Sequence, residues 1–258
     1  MPPPRKFEVV TAMNADIYRA TGRRMLRSLS KMWPSAVTLY VDWEGDSSAV
    51  ERDHPDVIFA DRDPAREKWM RRYRHHPGQD RLARCAWRFA YKSFAVTAWG
   101  ADSAADVLIW MDADTYTHRE LPMEVLESWL PEGKWLTYLG RKGVISECGF
   151  VMYDLRQPVV REMLKWWREV YTSGALFSLA QWNDCFVFDR AREGFVPKAH
   201  WNDLTPWAKG FVHAFINSPL GAYMDHMKGG RKAQGSSRRR DVIRDRVTPE
   251  FQAYLDSN

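Results

Sequence analysis

The sequence predicts an α/β protein with a mixed, mostly parallel sheet flanked by helices, and three observations support this fold class. Short runs of apolar and β-branched residues alternate with longer segments of helical periodicity. The spacing of strand, helix and strand is typical of parallel strands joined by right-handed crossovers. With 258 residues, of which 45% are hydrophobic, the chain can bury one large core.

The strands are predicted from the apolar runs and the helices from apolar residues spaced three or four apart. The predicted strands are 7–12, 37–41, 56–60, 107–111, 135–139 and 149–153. The predicted helices are 18–32, 80–99, 158–171, 182–190 and 248–255. Few periodic segments occur after residue 200 other than the last helix, and no internal repeat is visible.

The fourth run, Val107–Met111, is continuously apolar, which is typical of a strand buried on both faces. Asp112 and Asp114 follow it directly. Side chains two apart on an extended segment point the same way, so these carboxylates can meet at one point. Mg²⁺ and Mn²⁺ prefer such oxygen ligands, and we expect a divalent cation here. The alternative is a pair of solvated acids in a turn.

Ligands of open α/β sheets bind beyond the carboxyl ends of the strands. Thr11, Asn14 and Tyr18 lie just past the first strand and are predicted to hold a nucleotide base or ribose. The alternative for each is an ordinary helix cap or a packed side chain.

Four basic residues fall on one stripe of the predicted helix 80–99, next to its apolar face: Arg81, Arg84, Arg88 and Lys92. Cations at such a border are placed to meet an anionic ligand near Asp112. The alternative is that they are surface residues whose stems cover apolar area.

The cysteines are three in number and far apart, which predicts neither a disulfide framework nor a zinc site. No apolar run approaches the roughly 20 residues that span a bilayer, so we expect no membrane span and a cytoplasmic protein. The net charge of +5 is uneven: residues 62–92 carry ten basic and three acidic residues, and residues 228–246 carry eight and two. Such segments, interleaved with aromatic residues, suit a polyanion such as nucleic acid. Solvated helix faces and a floppy tail are the alternative.

A cation bound between two aspartates needs further ligands. His226 is the predicted third metal ligand, with His213 as the competing choice. Lys228 and Arg231 follow His226 among glycines, and they are predicted to neutralise the diphosphate of a donor.

Together these segments resemble the metal-dependent GT-A glycosyltransferases, in the branch that includes glycogenin and bacterial galactosyltransferases. The segments that carry the resemblance are Asp112-Ala113-Asp114, Glu147-Cys148-Gly149, Asn183-Asp184 and His226-Met227-Lys228-Gly229. The resemblance implies a GT-A domain over residues 1–232, with a basic tail and short helix over 233–258. It also implies a nucleotide-diphospho-sugar donor, a UDP-sugar in the first place, and Mn²⁺ or Mg²⁺ as cofactor.

The resemblance also assigns roles. Asp112 and Asp114 hold the metal and the donor ribose, His226 completes the metal shell, and Lys92 faces the donor. Glu147 and Asp184 are the catalytic candidates beside the transferred sugar, with configuration retained if the glycogenin-like pattern holds. Two departures are visible: an acid at position 147 in place of a neutral residue, and no tryptophan and proline after the late lysine.

The arrangement is also similar to phage enzymes that attach sugars to hydroxymethylated pyrimidines in DNA, which predicts a DNA acceptor and, for a phage protein, the host cytoplasm. A bacterial surface glycan or a protein is the alternative acceptor, and Trp166-Trp167 on helix 158–171 is then the expected membrane-associating face. Two other classes stay open: a phosphatase of the haloacid dehalogenase type, and a basic DNA-binding protein without catalysis.

Overall fold

The computed structural model describes residues 4–60 and 63–257. Its main sheet has seven strands in the order β3-β2-β1-β4-β7-β6-β8, and β5 pairs with β9 in a second, two-stranded sheet. The strands are β1 Phe7–Asn14, β2 Thr38–Glu44, β3 Val57–Ala60, β4 Val107–Met111, β5 Thr115–Thr117, β6 Leu136–Leu139, β7 Glu147–Asp154, β8 Trp201–Asp203 and β9 Met224–His226. The predicted mixed, mostly parallel sheet is confirmed.

Helices cover both faces of the main sheet. They are α1 Ala15–Ile17, α2 Arg23–Met32, α3 Ser48–Glu51, α4 Pro64–Tyr73, α5 Ala86–Asp102, α6 Met123–Ser128, α7 Pro158–Thr172, α8 Asp184–Phe195 and α9 Pro249–Asp256. One turn of π-helix, Tyr18–Gly22, joins α1 to α2. Two buried apolar clusters follow from this layering, one on each side of the sheet.

Strand direction places several strand ends at one edge of the sheet. β3, β2, β1 and β4 are mutually parallel, while β7 runs antiparallel to both β4 and β6. The carboxyl ends of β1, β2 and β4 therefore lie at the same edge as the first residue of β7, Glu147. This edge is where the sequence predicts ligand binding.

The predicted helix 80–99 begins later than expected. Leu82–Arg84 forms a 3₁₀ turn, and Cys85 has a non-helical ψ of 64°, so α5 starts at Ala86. The side chain of Gln79 accepts a hydrogen bond from the Trp87 amide at 3.1 Å and so satisfies one of the free N–H groups of the first turn. Arg81 and Arg84 therefore lie outside the helix, and only Arg88 and Lys92 of the predicted stripe are on it.

The C-terminal segment is packed onto the rest of the protein. Ser237 is 4% exposed, and Phe251 of α9 is fully buried in the cluster that also contains the α2 side chains. The floppy tail considered from the sequence is therefore wrong for the part that the structure describes, while the division at residue 232 stays a prediction.

The expected membrane-associating face on α7 is also wrong. Trp167 is fully buried, and Trp166 packs against Phe195 with ring centroids 5.8 Å apart. Among the residues described, the search for a helix with the length and apolarity of a membrane span finds none.

His118 fixes α9 to the domain and makes stability depend on pH. Its ring stacks on Tyr254 at 4.3 Å, and its Nε2 donates to the Gly221 carbonyl at 3.1 Å. Burial, with Arg119 nearby, lowers the pKa of His118 to about 4. The unfolded chain protonates this imidazole near its ordinary pKa of about 6.5, so it binds more protons than the folded chain between these values.

We therefore expect the stabilising contribution of His118 to be complete above about pH 6.5 and to be lost as the pH falls towards 4, by roughly 1 to 2 kcal/mol for this partly exposed ring. Urea unfolding of the wild type and of His118→Phe at pH 7.5 and 4.5 measures this. The variant should lose less stability between the two pH values; an equal loss would mean that other groups carry the pH dependence.

Candidate active site

Asp112 and Asp114 lie at the end of β4, as predicted, but in a turn rather than on an extended segment. The Asp112 amide donates to the Gly149 carbonyl of β7, and the Thr115 amide donates to the Asp112 carbonyl, both at 3.0 Å. The indole N–H of Trp110 donates to Asp112 Oδ1 at 2.6 Å. Strand alternation is therefore not what brings the two carboxylates together; the turn between β4 and β5 does so.

His226 reaches both carboxylates from β9. Because Thr115 of β5 pairs with His226, the strand that follows the acids carries the histidine to them. His226 Nε2 is 3.1 Å from Asp114 Oδ1 and 3.6 Å from Asp112 Oδ2. Gly149 lies beneath the imidazole, and a Cβ at that position would overlap the ring. Only glycine lets the histidine sit here.

These three residues fit a divalent cation. One ligand atom from each of Asp112, Asp114 and His226 lies within 4.8 Å of the others. Ligand atoms about 2.1 Å from an octahedral ion are roughly 3 Å apart, which is close to the distances within this group. Two carboxylates and an imidazole are donors that Mn²⁺ and Mg²⁺ accept. His226, rather than His213, joins the aspartates.

The charges of this group stabilise one another. Burial alone would lower the pKa of His226, but the carboxylates of Asp114 and Glu147 raise it to about 9. Burial would raise the pKa of Asp114, yet His226 and Lys232 hold it below its usual value. The site therefore contains ionised carboxylates beside a cation, and a bound metal ion would take over the positive charge.

Lys92 is a buried cation at the centre of a second cluster. Its ammonium is 3.2 Å from Asp112 Oδ1 and 2.9 Å from Asp184 Oδ2, and it donates to the Cys148 carbonyl. Burial would lower its pKa, but Asp112 and Asp184 raise it well above the usual value. Lys92 therefore links Asp112 to Asp184, the first residue of α8.

Cys148, Asp184 and Cys185 also lie within 4.8 Å of one another and could hold a metal by geometry alone. The ammonium of Lys92 already neutralises Asp184 at 2.9 Å. Burial and the neighbouring Cys185 raise the pKa of the Cys148 thiol well above its usual value, so Cys148 does not offer the thiolate that a metal ion binds.

Glu147 is 3% exposed and is surrounded by hydrogen-bond donors. Lys228 Nζ lies 2.8 Å from Oε2, the Ala214 amide donates to Oε2 at 3.2 Å, and His226 Nδ1 is 3.1 Å from Oε1. Burial would raise its pKa, but the charge of Lys228 and the hydrogen bond with His226 hold it well below the usual value. Glu147 is thus a fixed negative charge.

His213 lies outside the group formed by Asp112, Asp114 and His226. Its Nδ1 is 3.8 Å from Glu147 Oε1, and its Nε2 is 3.0 Å from the His226 carbonyl and 3.2 Å from the Ser237 hydroxyl. Ser237 in turn donates to Asp225 at 2.6 Å. Burial lowers the pKa of His213 to about 3. This neutral histidine joins the C-terminal segment to the site.

The basic residues that follow β9 have other partners than the sequence predicts. Lys232, which sequence reasoning missed, lies 3.0 Å from Asp114 Oδ2. Arg231 instead forms two hydrogen bonds to Asp241, at 2.7 and 2.5 Å. Lys228 contacts Glu147. The signal that could have identified Lys232 was its place in the same run of basic and glycine residues as Lys228.

The residues that the sequence predicts to bind the nucleoside and donor do not lie together in the structure. Asn14 lies at the edge of the sheet, where its side chain caps α1 and reaches Glu44 Oε2 at 3.4 Å. Thr11 is fully buried, and the Tyr18 hydroxyl contacts His54 Nε2 at 3.0 Å. Arg88 is exposed on α5. None of these four forms a hydrogen bond or ion pair with Asp112 or Asp114 in the part of the chain described.

Glu44 and Tyr91 are neighbours of this region that sequence reasoning missed. The Tyr91 hydroxyl donates to Glu44 Oε1 at 2.9 Å, and Tyr91 precedes Lys92 on α5. Burial and Glu44 raise the pKa of Tyr91 to about 12. Glu44 could have been found by the rule that selected Asn14, because it ends the neighbouring strand β2.

Solved structures of glycosyltransferases have this architecture. Apo mouse xyloside xylosyltransferase 1 matches with a TM-score of 0.51 at 12% identity, over 78% of this chain and 85% of that one. The bifunctional glycosyltransferase WbbM, also apo, matches with a TM-score of 0.55 at 12% identity, over 98% of this chain and 52% of that one. The chain has a glycosyltransferase fold. It spans about half the length of WbbM.

No protein-family profile matches the sequence, and no curated protein matches it significantly. The predicted GT-A-like fold is confirmed by the two structural neighbours. The closer likeness to glycogenin and to phage DNA-modifying enzymes stays a prediction.

Proposed function

We propose that this protein transfers a sugar from a nucleotide-diphospho-sugar, a UDP-sugar in the first place, to a hydroxyl acceptor with the help of Mn²⁺ or Mg²⁺. One observation carries the proposal. Ligand atoms of Asp112, Asp114 and His226 lie within 4.8 Å of one another at the ligand-binding edge of a glycosyltransferase fold. A bound divalent cation supplies positive charge for the diphosphate that leaves.

The residues around the metal group suit an anionic leaving group. Lys232 lies 3.0 Å from Asp114 and Lys228 lies 2.8 Å from Glu147, so two ammonium groups flank the place where a diphosphate would lie. Preorganised charge of this kind stabilises the transition state without reorganisation. We propose Lys232 and Lys228 for this role. Arg231 is bound to Asp241 and is not needed for it.

We propose that two buried carboxylates, Asp184 and Glu147, face the sugar. Asp184 is held by Lys92 and is proposed to bind donor hydroxyls. Glu147 has a pKa well below its usual value, which makes it a weak base. We therefore propose that Glu147 stabilises the oxocarbenium-like anomeric carbon by its charge rather than taking the acceptor proton.

The nucleoside is proposed to lie beside Asn14, Glu44 and Tyr91, at the carboxyl ends of β1 and β2 next to Lys92. Thr11 and Tyr18 are buried and would reach a donor only after the site rearranges, whereas Arg88 is exposed on α5 one helical turn before Lys92. The proposed acceptor is a hydroxymethylated pyrimidine in DNA, on the basis of the sequence resemblance and the net charge of +5. Such a base must leave the stack to reach the site.

A thermal-shift panel of UDP, GDP and ADP, each with and without Mn²⁺, tests the donor site. We expect one nucleotide to raise the Tm only when the metal is present, because a ligand that binds the folded state stabilises it by mass action. Lys232→Ala should weaken this shift, whereas the matched control Arg231→Ala should reduce it less. If no nucleotide shifts the Tm with metal, the donor proposal is wrong.

A turnover assay tests the transfer reaction and its acceptor. Release of nucleoside diphosphate from UDP-sugars is followed with and without hydroxymethylcytosine DNA, and digested nucleosides are analysed by mass spectrometry. A hexose or pentose mass on the nucleoside supports the DNA acceptor. Turnover with a glycan or protein acceptor, together with unchanged nucleosides, would support the transferase activity and exclude DNA as the acceptor.

A further inference from the structure

We propose that an exposed row of cations along α2 and the π-helical turn before it binds the phosphodiester backbone of a nucleic acid. The row, here called the basic ridge, consists of Arg19, Arg23, Arg27 and Lys31. The inference concerns the acceptor of the proposed transfer and so rests on that function. Binding itself, however, is measurable without a donor or turnover.

The ridge follows from the spacing of its residues. Arg23, Arg27 and Lys31 are four positions apart on α2, so they follow one another along one side of the helix with a rise of about 6 Å from each to the next. Arg19 precedes them in the π-helical turn. All four are exposed. The apolar residues of the same helix, Met25, Leu26 and Leu29, are buried in the core. The helix is therefore fixed to the protein by one face and presents cations on the other.

Few acidic side chains form ion pairs with the cations of the basic ridge. Within the described ranges 4–60 and 63–257, the only ion pair of its members is that of Arg19 with Asp16. The ridge borders a cavity of about 410 Å³ that is also lined by Arg24, Tyr116 and Thr117. Five basic side chains thus surround one concave surface.

The two basic segments that the sequence singled out differ from the ridge, because several of their cations are already bound to acidic side chains. In segment 62–92, Arg66 and Lys92 are buried in ion pairs and Arg71 pairs with Glu67. In segment 228–246 the acid-bound cations are Lys228, Arg231, Lys232 and Arg239. Net charge along the sequence therefore overstates the free positive charge of these segments, although six cations of segment 62–92 stay exposed: Lys68, Arg72, Arg74, Arg81, Arg84 and Arg88. The basic ridge differs from them because all of its cations line one cavity.

The ridge leads to the site. Arg24 lies over the ring of Tyr116 at 3.7 Å, and Tyr116 is two residues beyond Asp114. The same guanidinium contacts Met227 Sδ at 3.3 Å, next to His226. A strand bound along the ridge would therefore pass beside the metal-binding residues.

The composition of the ridge favours nucleic acid over a lipid surface. A helix that lies on a membrane inserts apolar side chains beside its cations, and the apolar side chains of α2 are buried. Three of its four members are arginines, whose guanidinium groups bind phosphate oxygens in pairs. A concave, regularly charged surface of this kind is typical of grooves that follow a phosphate backbone.

Fluorescence anisotropy with labelled single-stranded and duplex DNA 20-mers, over a range of salt concentrations, tests the proposal. We expect salt-dependent binding by the wild type. The triple variant Arg23→Glu, Arg27→Glu, Lys31→Glu should bind at least about 10-fold more weakly, and the slope of log K against log salt should fall by about 2 to 3, since three phosphate contacts are lost. The arms with single-stranded and duplex DNA show which form is bound.

The matched control reverses three exposed cations of α4, in the variant Lys68→Glu, Arg71→Glu, Arg72→Glu, which has the same net charge. It should lose much less affinity than the ridge variant. Equal losses in both variants would show that net charge alone is responsible and would overturn the proposal. Absence of wild-type binding to DNA would also overturn it. Heparin and anionic vesicles serve as competitors, and binding of either as tightly as DNA would overturn it as well. Nucleotide-dependent thermal shifts should persist in the ridge variant; their absence in all proteins would refute the donor site while leaving DNA binding intact.

Discussion

Asp114→Asn should lower the proposed sugar transfer by at least about 100-fold, which corresponds to roughly 2.7 kcal/mol of transition-state stabilisation. Asp114 is 9% exposed and contacts both His226 at 3.1 Å and Lys232 at 3.0 Å. An amide keeps the size of the side chain but removes the charge that a divalent cation needs. Initial rates of nucleoside diphosphate release, at several Mn²⁺ concentrations, measure the effect.

The control for this variant is Asp245→Asn, since Asp245 is an exposed acid in the C-terminal segment. It should retain the wild-type rate. Excess Mn²⁺ should recover part of the Asp114→Asn activity if the main loss is metal affinity. A rate for Asp114→Asn within about threefold of the wild type would show that this carboxylate is not part of the reaction centre.

Lys92→Met should destabilise the protein by about 3 kcal/mol, because it leaves the buried Asp184 carboxylate, and the partly exposed Asp112 beside it, without their cation. The ammonium of Lys92 lies between Asp112 and Asp184, at 3.2 and 2.9 Å, and the lysine is 7% exposed. The methionine fills most of the volume, so the loss reports charge rather than a cavity. Urea unfolding measures the free energy of unfolding of each variant.

A double variant separates charge from shape. Lys92→Met with Asp184→Asn should recover a substantial part of the lost stability, because the amide removes one of the two unpaired charges. Destabilisation of less than about 1 kcal/mol by Lys92→Met, or no recovery in the double variant, would mean that solvent reaches this cluster and that the ion pair contributes little.

Local sequence patterns were sufficient for six of the seven strands of the main sheet and for part of the candidate site, but not for β8 or for the sheet of β5 and β9. Val107–Met111 forms a strand as predicted, because a short run with apolar side chains on both faces is stable only between two layers. Asp112 and Asp114 follow from its position, since a chain leaving the buried centre of a sheet must reach the ligand-binding edge. Lys92 followed from its place at the border of the apolar face of α5.

Long-range placement could not be derived in the same way. Both His213 and His226 were possible metal ligands, and only the pairing of β9 with β5 brings His226 to the aspartates. Arg231 was expected at the diphosphate, but Asp241 binds it, while Lys232 turns towards Asp114. Which of two neighbouring basic side chains faces the site depends on partners far away along the chain.

The sequence by itself determined which segments are buried, which acidic residues follow them, and that the protein carries excess positive charge. Only the tertiary structure decided which histidine meets the acids, and which cations are free for a partner. The physical reason is that periodicity and burial are local properties of a segment. The neutralisation of a charge, by contrast, depends on groups that folding brings from elsewhere.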